Sequence, residues 1–164
     1  MADPGLHGDP RAPARGGCVK KNGGAEAEKL GRSRGGFSTK IHTAVNGLGL
    51  PVKIVLTPGQ GADVTQAETL LKGVPFEVVI ADKGYDSQPL VDRIEGQGGE
   101  AVIPSRKRNS RQRTYDRERY KDRNLAERFW NKIKHCRRVA TRYEKTARNF
   151  LAFVHVASLL VLLQ

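Results

Sequence analysis

The chain has 164 residues, 38% of them hydrophobic, enough for one modest core and an argument against two full domains. Lys and Arg outnumber Asp and Glu by 29 to 17, a formal net charge of +12, which points to a polyanionic partner because clustered cations neutralise phosphates and release counterions. Two cysteines, Cys18 and Cys136, exclude a disulfide framework and form no Cys-x-x-Cys metal spacing.

The charge is not spread evenly. Residues 105 to 148 carry 17 Lys and Arg against 5 Asp and Glu, so the rest of the chain is balanced. A solvated basic surface without purpose would not concentrate in this way. Within the segment, Arg106, Lys107, Arg108, Arg111, Arg113, Arg137, Arg138 and Arg142 are the candidate contacts to the phosphates of such a polyanion. No apolar stretch follows the first residues as a secretory leader requires. The apolar run Phe150 to Leu163 is interrupted by His155 and falls short of the roughly 20 residues of a bilayer span. The expectation is a cytoplasmic protein with a buried terminal helix, no membrane partner and no small-molecule substrate.

In chain order, residues 1 to 36 are rich in Gly, Pro, Ala and Arg without apolar periodicity, the pattern of a loose arm. From 37 to 164 the chain reads as one α/β domain. Phe37, Thr39, Ile41, Thr43 and Val45 alternate with Ser38, Lys40, His42 and Ala44, predicting a half-buried strand. Asn46-Gly47 marks a hairpin turn into a second strand through Val52, Ile54 and Leu56, closed by Pro58 and Gly59. Asp63 is placed to cap a helix to about Lys72 with Val64, Ala67, Leu70 and Leu71 as its apolar stripe. Phe76 to Ala81 is an apolar run of strand length ending at Asp82. A helix from about Ser87 to Gln97, stopped by Gly98-Gly99, and a buried strand Ala101 to Ile103 follow. The order is that of a mixed α/β sheet. Beyond a basic loop, a long helix is predicted from about Arg117 to Arg138 and an apolar one from about Thr146 to Leu163.

Asp82 ends a predicted central strand, the edge where ligands gather in open α/β sheets. The competing reading is that it only satisfies turn backbone, and Asp86 reads as a helix cap. On the long helix, Tyr120, Arg123, Glu127 and Lys134 share one face at 100° per residue. Leu125, Phe129, Ile133 and Cys136 form the opposite, core stripe, with Trp130 between. Arg123 and Glu127 at i,i+4 also fit an ordinary surface ion pair.

The spacing Tyr120-x2-Arg123-x3-Glu127-x6-Lys134 resembles the Tyr-Arg-Glu-Lys signature of insertion-sequence transposases with an Asp-Asp-Glu triad. Gly31-Arg32-Ser33-Arg34-Gly35-Gly36, Leu56-Thr57-Pro58-Gly59-Gln60, Ala81-Asp82-Lys83-Gly84-Tyr85-Asp86 and Arg138-Val139-Ala140-Thr141-Arg142-Tyr143 resemble the same family's blocks in the same order. The resemblance covers about residues 31 to 164. It implies a ribonuclease H-like mixed sheet flanked by helices, and a pair of Mg²⁺ or Mn²⁺ ions held by two Asp and one Glu for phosphoryl transfer on transposon ends and target DNA by a homo-oligomer. Asp82 would be the second Asp and Glu127 the Glu, both metal ligands. Lys134 would approach a phosphate, and Tyr120 and Arg123 would support the site.

The family's first Asp stands on a first strand well before the Gly-Arg-Ser-Arg-Gly-Gly block, in an Asp-Ser-Thr or Asp-Gly-Thr setting. Here only Asp3 and Asp9 precede Glu26, among Gly and Pro, where no central strand is built. The resemblance therefore implies a catalytic domain lacking its first strand, through a frameshift or degradation upstream, and little strand transfer by this chain alone. The alternatives are an inactive basic DNA-binding remnant that regulates transposition and an RNA-binding protein, the latter lacking interleaved stacking aromatics.

Overall fold

The computed structural model describes residues 24–33, 36–107, 109 and 112–163. Its elements run α1 Gly24–Ala27, β1 Gly31–Ser33, β2 Gly36–Val45, β3 Pro51–Pro58, α2 Val64–Leu71, β4 Val78–Ile80, α3 Gln88–Gly96, β5 Glu100–Val102, α4 Arg117–Tyr120, α5 Asn124–Lys134, α6 Arg137–Ala140 and α7 Ala147–Leu162. Turns of 3₁₀ helix lie at Lys83–Tyr85 and Lys121–Arg123. The class is mixed α/β, as expected, with the strands in two sheets: three strands ordered β1-β2-β3, and a parallel pair, β4-β5. No helix among the described residues is long and apolar enough to cross a membrane.

The chain divides into two interleaved compact units. One comprises His42–Val55 and Ala62–Arg128; the other takes the described residues up to Ile41, Leu56–Gly61 and those from Phe129 onward. In the first unit Ala67, Ala81, Tyr85, Leu90, Val91, Ile94 and Ile103 form the core, with Leu71, Phe76, Val79 and Ala101 packed against it. The second buries Ile41, Leu56, Phe129, Trp130, Ile133, Val139, Phe150, Val154, Ala157 and Val161.

The hairpin turn forms as Asn46 requires. Its side-chain oxygen accepts from Leu48 N and Leu50 N, both at 3.0 Å, so a short polar side chain stands in for backbone acceptors. Strand β2 does not alternate as predicted: Ser38, Thr39, Ile41, His42 and Thr43 are all buried while Phe37 is 58% exposed. Both faces of this strand are covered; Thr39 Oγ1 donates to Lys29 O at 2.7 Å and His42 Nδ1 lies 3.4 Å from the Tyr85 hydroxyl. Helix α3 ends on Gly98 at φ +80, with Gly99 N donating to Ile94 O at 3.0 Å.

Three further expectations are corrected. The predicted loose arm contains α1 and β1, the latter paired antiparallel with β2 from Gly31↔Ser38 to Ser33↔Gly36; residues 1–23 lie outside the described ones. The long helix is interrupted at Lys121–Arg123 and stops at Lys134. Val139 follows Ile133 by six residues, about 240° further round a continuous helix, so only a break lets both be buried, at 1% and 0% exposure. Cys136 takes an extended conformation in that break. Finally, the stripe of α5 is Ala126, Phe129, Trp130 and Ile133, the i, i+3, i+4, i+7 pattern. Leu125 is half-buried instead, with its Cβ 3.6 Å from the Cβ position of Gly49.

Candidate functional site

Asp82 follows β4 and opens a 3₁₀ turn, its Oδ1 accepting from Gly84 N at 2.7 Å. The turn-capping reading is therefore realised, and the carboxylate is half-buried rather than lost in the core. A Cβ at Gly84 would stand 2.7 Å from Asp82 Oδ1 and 3.3 Å from Asp63 Oδ2. Gly84 is thus required by space, and it brings two carboxylates to one point.

Asp63 was read from sequence as a helix cap. It makes no side-chain cap bond to α2; its carboxylate turns toward Gly84 and Tyr85 instead. Tyr85 is buried, with its hydroxyl 3.4 Å from the buried Nδ1 of His42. Burial pushes the Tyr85 hydroxyl well above the usual phenol range, and the charges of Asp63 and Asp82 push the same way. The phenol stays neutral beneath the acids.

Tyr120 closes α4, and Arg123 and Glu127 follow across the 3₁₀ turn into α5. Arg123 pairs with Glu127 and lies 5.9 Å from the centre of the Tyr120 ring. The Tyr120 hydroxyl is shifted upward, chiefly by burial. Arg123 opposes that shift, while Asp82, Tyr115 and Glu127 add to it. The structure therefore brings Asp82, Tyr120, Arg123 and Glu127 into one electrostatic neighbourhood within the first unit. Lys134 is half-buried in the last turn of α5 and falls in the second unit.

Of the cations assigned to DNA from sequence, several have internal partners. The carboxylate of Asp86, fully buried, pairs with Arg113 and accepts from Arg106 N at 2.7 Å and Asn109 Nδ2 at 2.5 Å. Arg106 also donates to Lys83 O at 2.9 Å and Gly84 O at 2.6 Å. Asp86 is not the cap of α3, which is Ser87, but the post to which the basic loop is tied. Arg142 donates to Glu28 O, Thr39 Oγ1, Glu144 O and Lys145 O, and lies over the Phe150 ring. Burial lowers its pKa, against the opposing charges of Glu28 and Glu144. Lys107, Arg137 and Arg138 are exposed. Arg137 donates to the Tyr143 hydroxyl at 3.0 Å; Arg138 pairs with Glu144 at 3.0 Å and covers Phe153. Arg108 and Arg111 lie outside the described residues.

Two of the sequence blocks meet in the second unit. Gly59 N donates to Ser38 O at 3.1 Å, and a Cβ on Gly31 would stand 2.8 Å from Gly59 N. The glycines of these blocks serve close backbone approach.

The chain matches a family described as the transposase DDE domain over residues 19–162. This chain belongs to the DDE transposases of insertion sequences. It is also 39% identical over 133 residues to a putative transposase for insertion sequence element IS6501 of Brucella ovis, covering 78% of this chain and all of that relative. No solved structure matches it.

DDE transposases use divalent metal ions. Hard carboxylate oxygens are the right donors for Mg²⁺, which is held by one or two carboxylates together with waters and substrate phosphate. Asp82 and Glu127 meet that chemistry. Among the described residues, however, no group of three or more His, Cys, Asp and Glu is gathered closely enough to hold an ion alone.

Proposed function

We propose that Asp82 and Glu127 are the acidic pair of a ribonuclease H-like centre that cleaves DNA at element ends and transfers the strands to a target. What supports this reading is the placement of Asp82 in the turn that closes β4, its Oδ1 held by Gly84 N, with Glu127 paired to Arg123, which lies 5.9 Å from the Tyr120 ring centre; the charges of both acids push the Tyr120 hydroxyl upward. A divalent cation, Mg²⁺ or Mn²⁺ and two of them in a full site, would activate water or a 3′-hydroxyl and stabilise the leaving oxygen. Asp82, fixed by Gly84 N, and Glu127, fixed by Arg123, would supply the carboxylate oxygens that hold such a cation. Tyr120 keeps Glu127 and Arg123 in register. Lys134 neutralises a phosphate next to the cut, and Lys107, Arg137 and Arg138, with Arg108 and Arg111, hold the flanking backbone. Work on element ends implies a homo-oligomer acting on the bacterial nucleoid in the cytoplasm.

Among the described residues no three His, Cys, Asp or Glu side chains are gathered as an ion site, which favours a second reading for the chain acting alone: a basic DNA-binding regulator of transposition. A supercoiled plasmid bearing element ends, incubated with the chain and Mg²⁺ or Mn²⁺, separates them. Cutting that disappears in both Asp82→Asn and Glu127→Gln supports the enzyme. DNA binding with no cutting, unchanged by either substitution, supports the regulator.

A further inference from the structure

The turn that Asp82 opens is a single 3₁₀ turn, Lys83–Tyr85. So short a helix closes few bonds of its own, and two of its carbonyls meet one side chain. Arg106 donates from Nε to Lys83 O at 2.9 Å and from Nη2 to Gly84 O at 2.6 Å. A guanidinium is planar and rigid, so two donors engaged side by side fix its orientation as well as its position. Its base is held too, because Arg106 N donates to the buried Asp86 carboxylate at 2.7 Å. Lys83 O and Gly84 N belong to one peptide unit, which is planar and turns as a body. On its carbonyl side that unit accepts from Arg106 Nε; on its N–H side it donates to Asp82 Oδ1 at 2.7 Å. Donation from a cation polarises the amide and strengthens the bond that its N–H makes. The residue at the joint is glycine, the type with the freest backbone, and space requires it there. Gly84 alone therefore cannot hold the plane still. The second bond, to Gly84 O, fixes the next peptide unit and so restrains rotation on both sides of the Gly84 Cα.

We propose that Arg106 is a positioning residue for Asp82: through the Lys83–Gly84 peptide plane it sets the direction in which the Asp82 carboxylate is offered to a divalent cation. This rests on the reading of Asp82 and Glu127 as the acidic pair. It also takes Arg106 out of the set of phosphate contacts, where charge alone would place it. A lysine at this position keeps the charge but presents one ammonium on a flexible stem, which reaches one carbonyl or the other and cannot lock both. Asn109 supplies the control, because its side chain ties the same loop to Asp86 rather than to the two carbonyls.

The test compares the full chain with Arg106→Lys and Asn109→Ala. Without metal, hydrogen exchange of the Gly84 amide should be about tenfold or more faster in Arg106→Lys, the scale of a lost hydrogen bond to a charged group. The Gly84 amide proton resonance should move upfield as its bond to Asp82 weakens. Asn109→Ala should change neither. With Mn²⁺ added, the concentration that half-broadens the Tyr120 ring resonances should rise several-fold in Arg106→Lys and stay constant in Asn109→Ala. A Gly84 amide indifferent to Arg106→Lys, one loosened equally by Asn109→Ala, or Mn²⁺ binding unchanged in Arg106→Lys overturns the proposal. Failure of the underlying reading looks different: Mn²⁺ then leaves Tyr120 untouched in the unsubstituted chain while the Gly84 response to Arg106→Lys persists, and the role of Arg106 toward a cation falls with it.

Discussion

The Tyr120 hydroxyl at the end of α4 lies within the field of the Asp82 carboxylate at the end of β4. The charge of one block of the transposase pattern thereby acts on a phenol of another, far apart in sequence. The relation is measurable without any catalytic assay. Asp82 and Glu127 both raise the Tyr120 pKa, and Arg123 lowers it. Asp82→Asn and Glu127→Gln should each move the Tyr120 titration to lower pH, and Arg123→Gln should move it higher, when followed by phenolate absorbance against a Tyr120→Phe reference. A Tyr120 titration indifferent to Asp82→Asn would separate the two blocks.

Asp86 and Arg113 give a stability prediction. Removing one member of a buried ion pair leaves the other uncompensated and costs about 3–5 kcal/mol. The Asp86 carboxylate is fully buried, and Arg113 is 22% exposed, so the Asp86 side carries most of the penalty. Asp86→Ala should lower the urea midpoint strongly and open the chain after Arg106 and Arg113 to trypsin. Arg113→Ala should do less, because Arg106 N and Asn109 Nδ2 still reach Asp86.

Much of this arrangement was legible in the sequence, and what escaped has physical causes. The hairpin, both helices around Asp82 and the terminal helix followed from periodicity and turn residues, which are local. Spacing gave the Arg123–Glu127 pair, but the single helix face that was to carry Tyr120, Arg123, Glu127 and Lys134 is broken at Lys121–Arg123. Asp63 and Asp86 were read as caps, since a capping aspartate and one that reaches across to Tyr85 or Arg113 look the same until the chain folds. The burial of both faces of β2 escaped because His42 and Ser38 gain partners only from distant segments. Leu125 drew the predicted stripe of α5 one residue out of phase, being more apolar than Ala126, which is the residue the core holds. Arg142 was counted as a DNA contact on its charge, while its guanidinium is committed to four acceptors in the second unit.

That last point predicts a contrast in DNA binding. Lys107→Ala removes an exposed cation and should weaken binding uniformly across sequences while lowering the salt slope by about 1. Arg142→Ala should leave the slope nearly unchanged and instead destabilise the fold, since it strands the Thr39 and Glu28 acceptors. Anisotropy titrations over a salt series, paired with thermal melts, distinguish the two.

Tyr85 sets the behaviour in alkali. Its folded pKa lies above the unfolded value of 10.0, so the neutral phenol favours folding fully below that pH. As pH rises past it, the unfolded chain ionises first and stability falls. Tyr85→Phe should melt with a weaker dependence on pH above about 10, measured by circular dichroism between neutral pH and pH about 11. An identical alkaline slope in the variant would remove Tyr85 from the cause.

The pairing of Asp82 with Glu127 is tested most directly with Mn²⁺ as a paramagnetic probe, following the ring resonances of Tyr120. Joint cation binding predicts that Mn²⁺ broadens those resonances in the unsubstituted chain, and that Asp82→Asn and Glu127→Gln each abolish the broadening while the fold is retained. Broadening that survives either substitution, or that spares Tyr120 and appears elsewhere, would contradict a site shared by these two carboxylates.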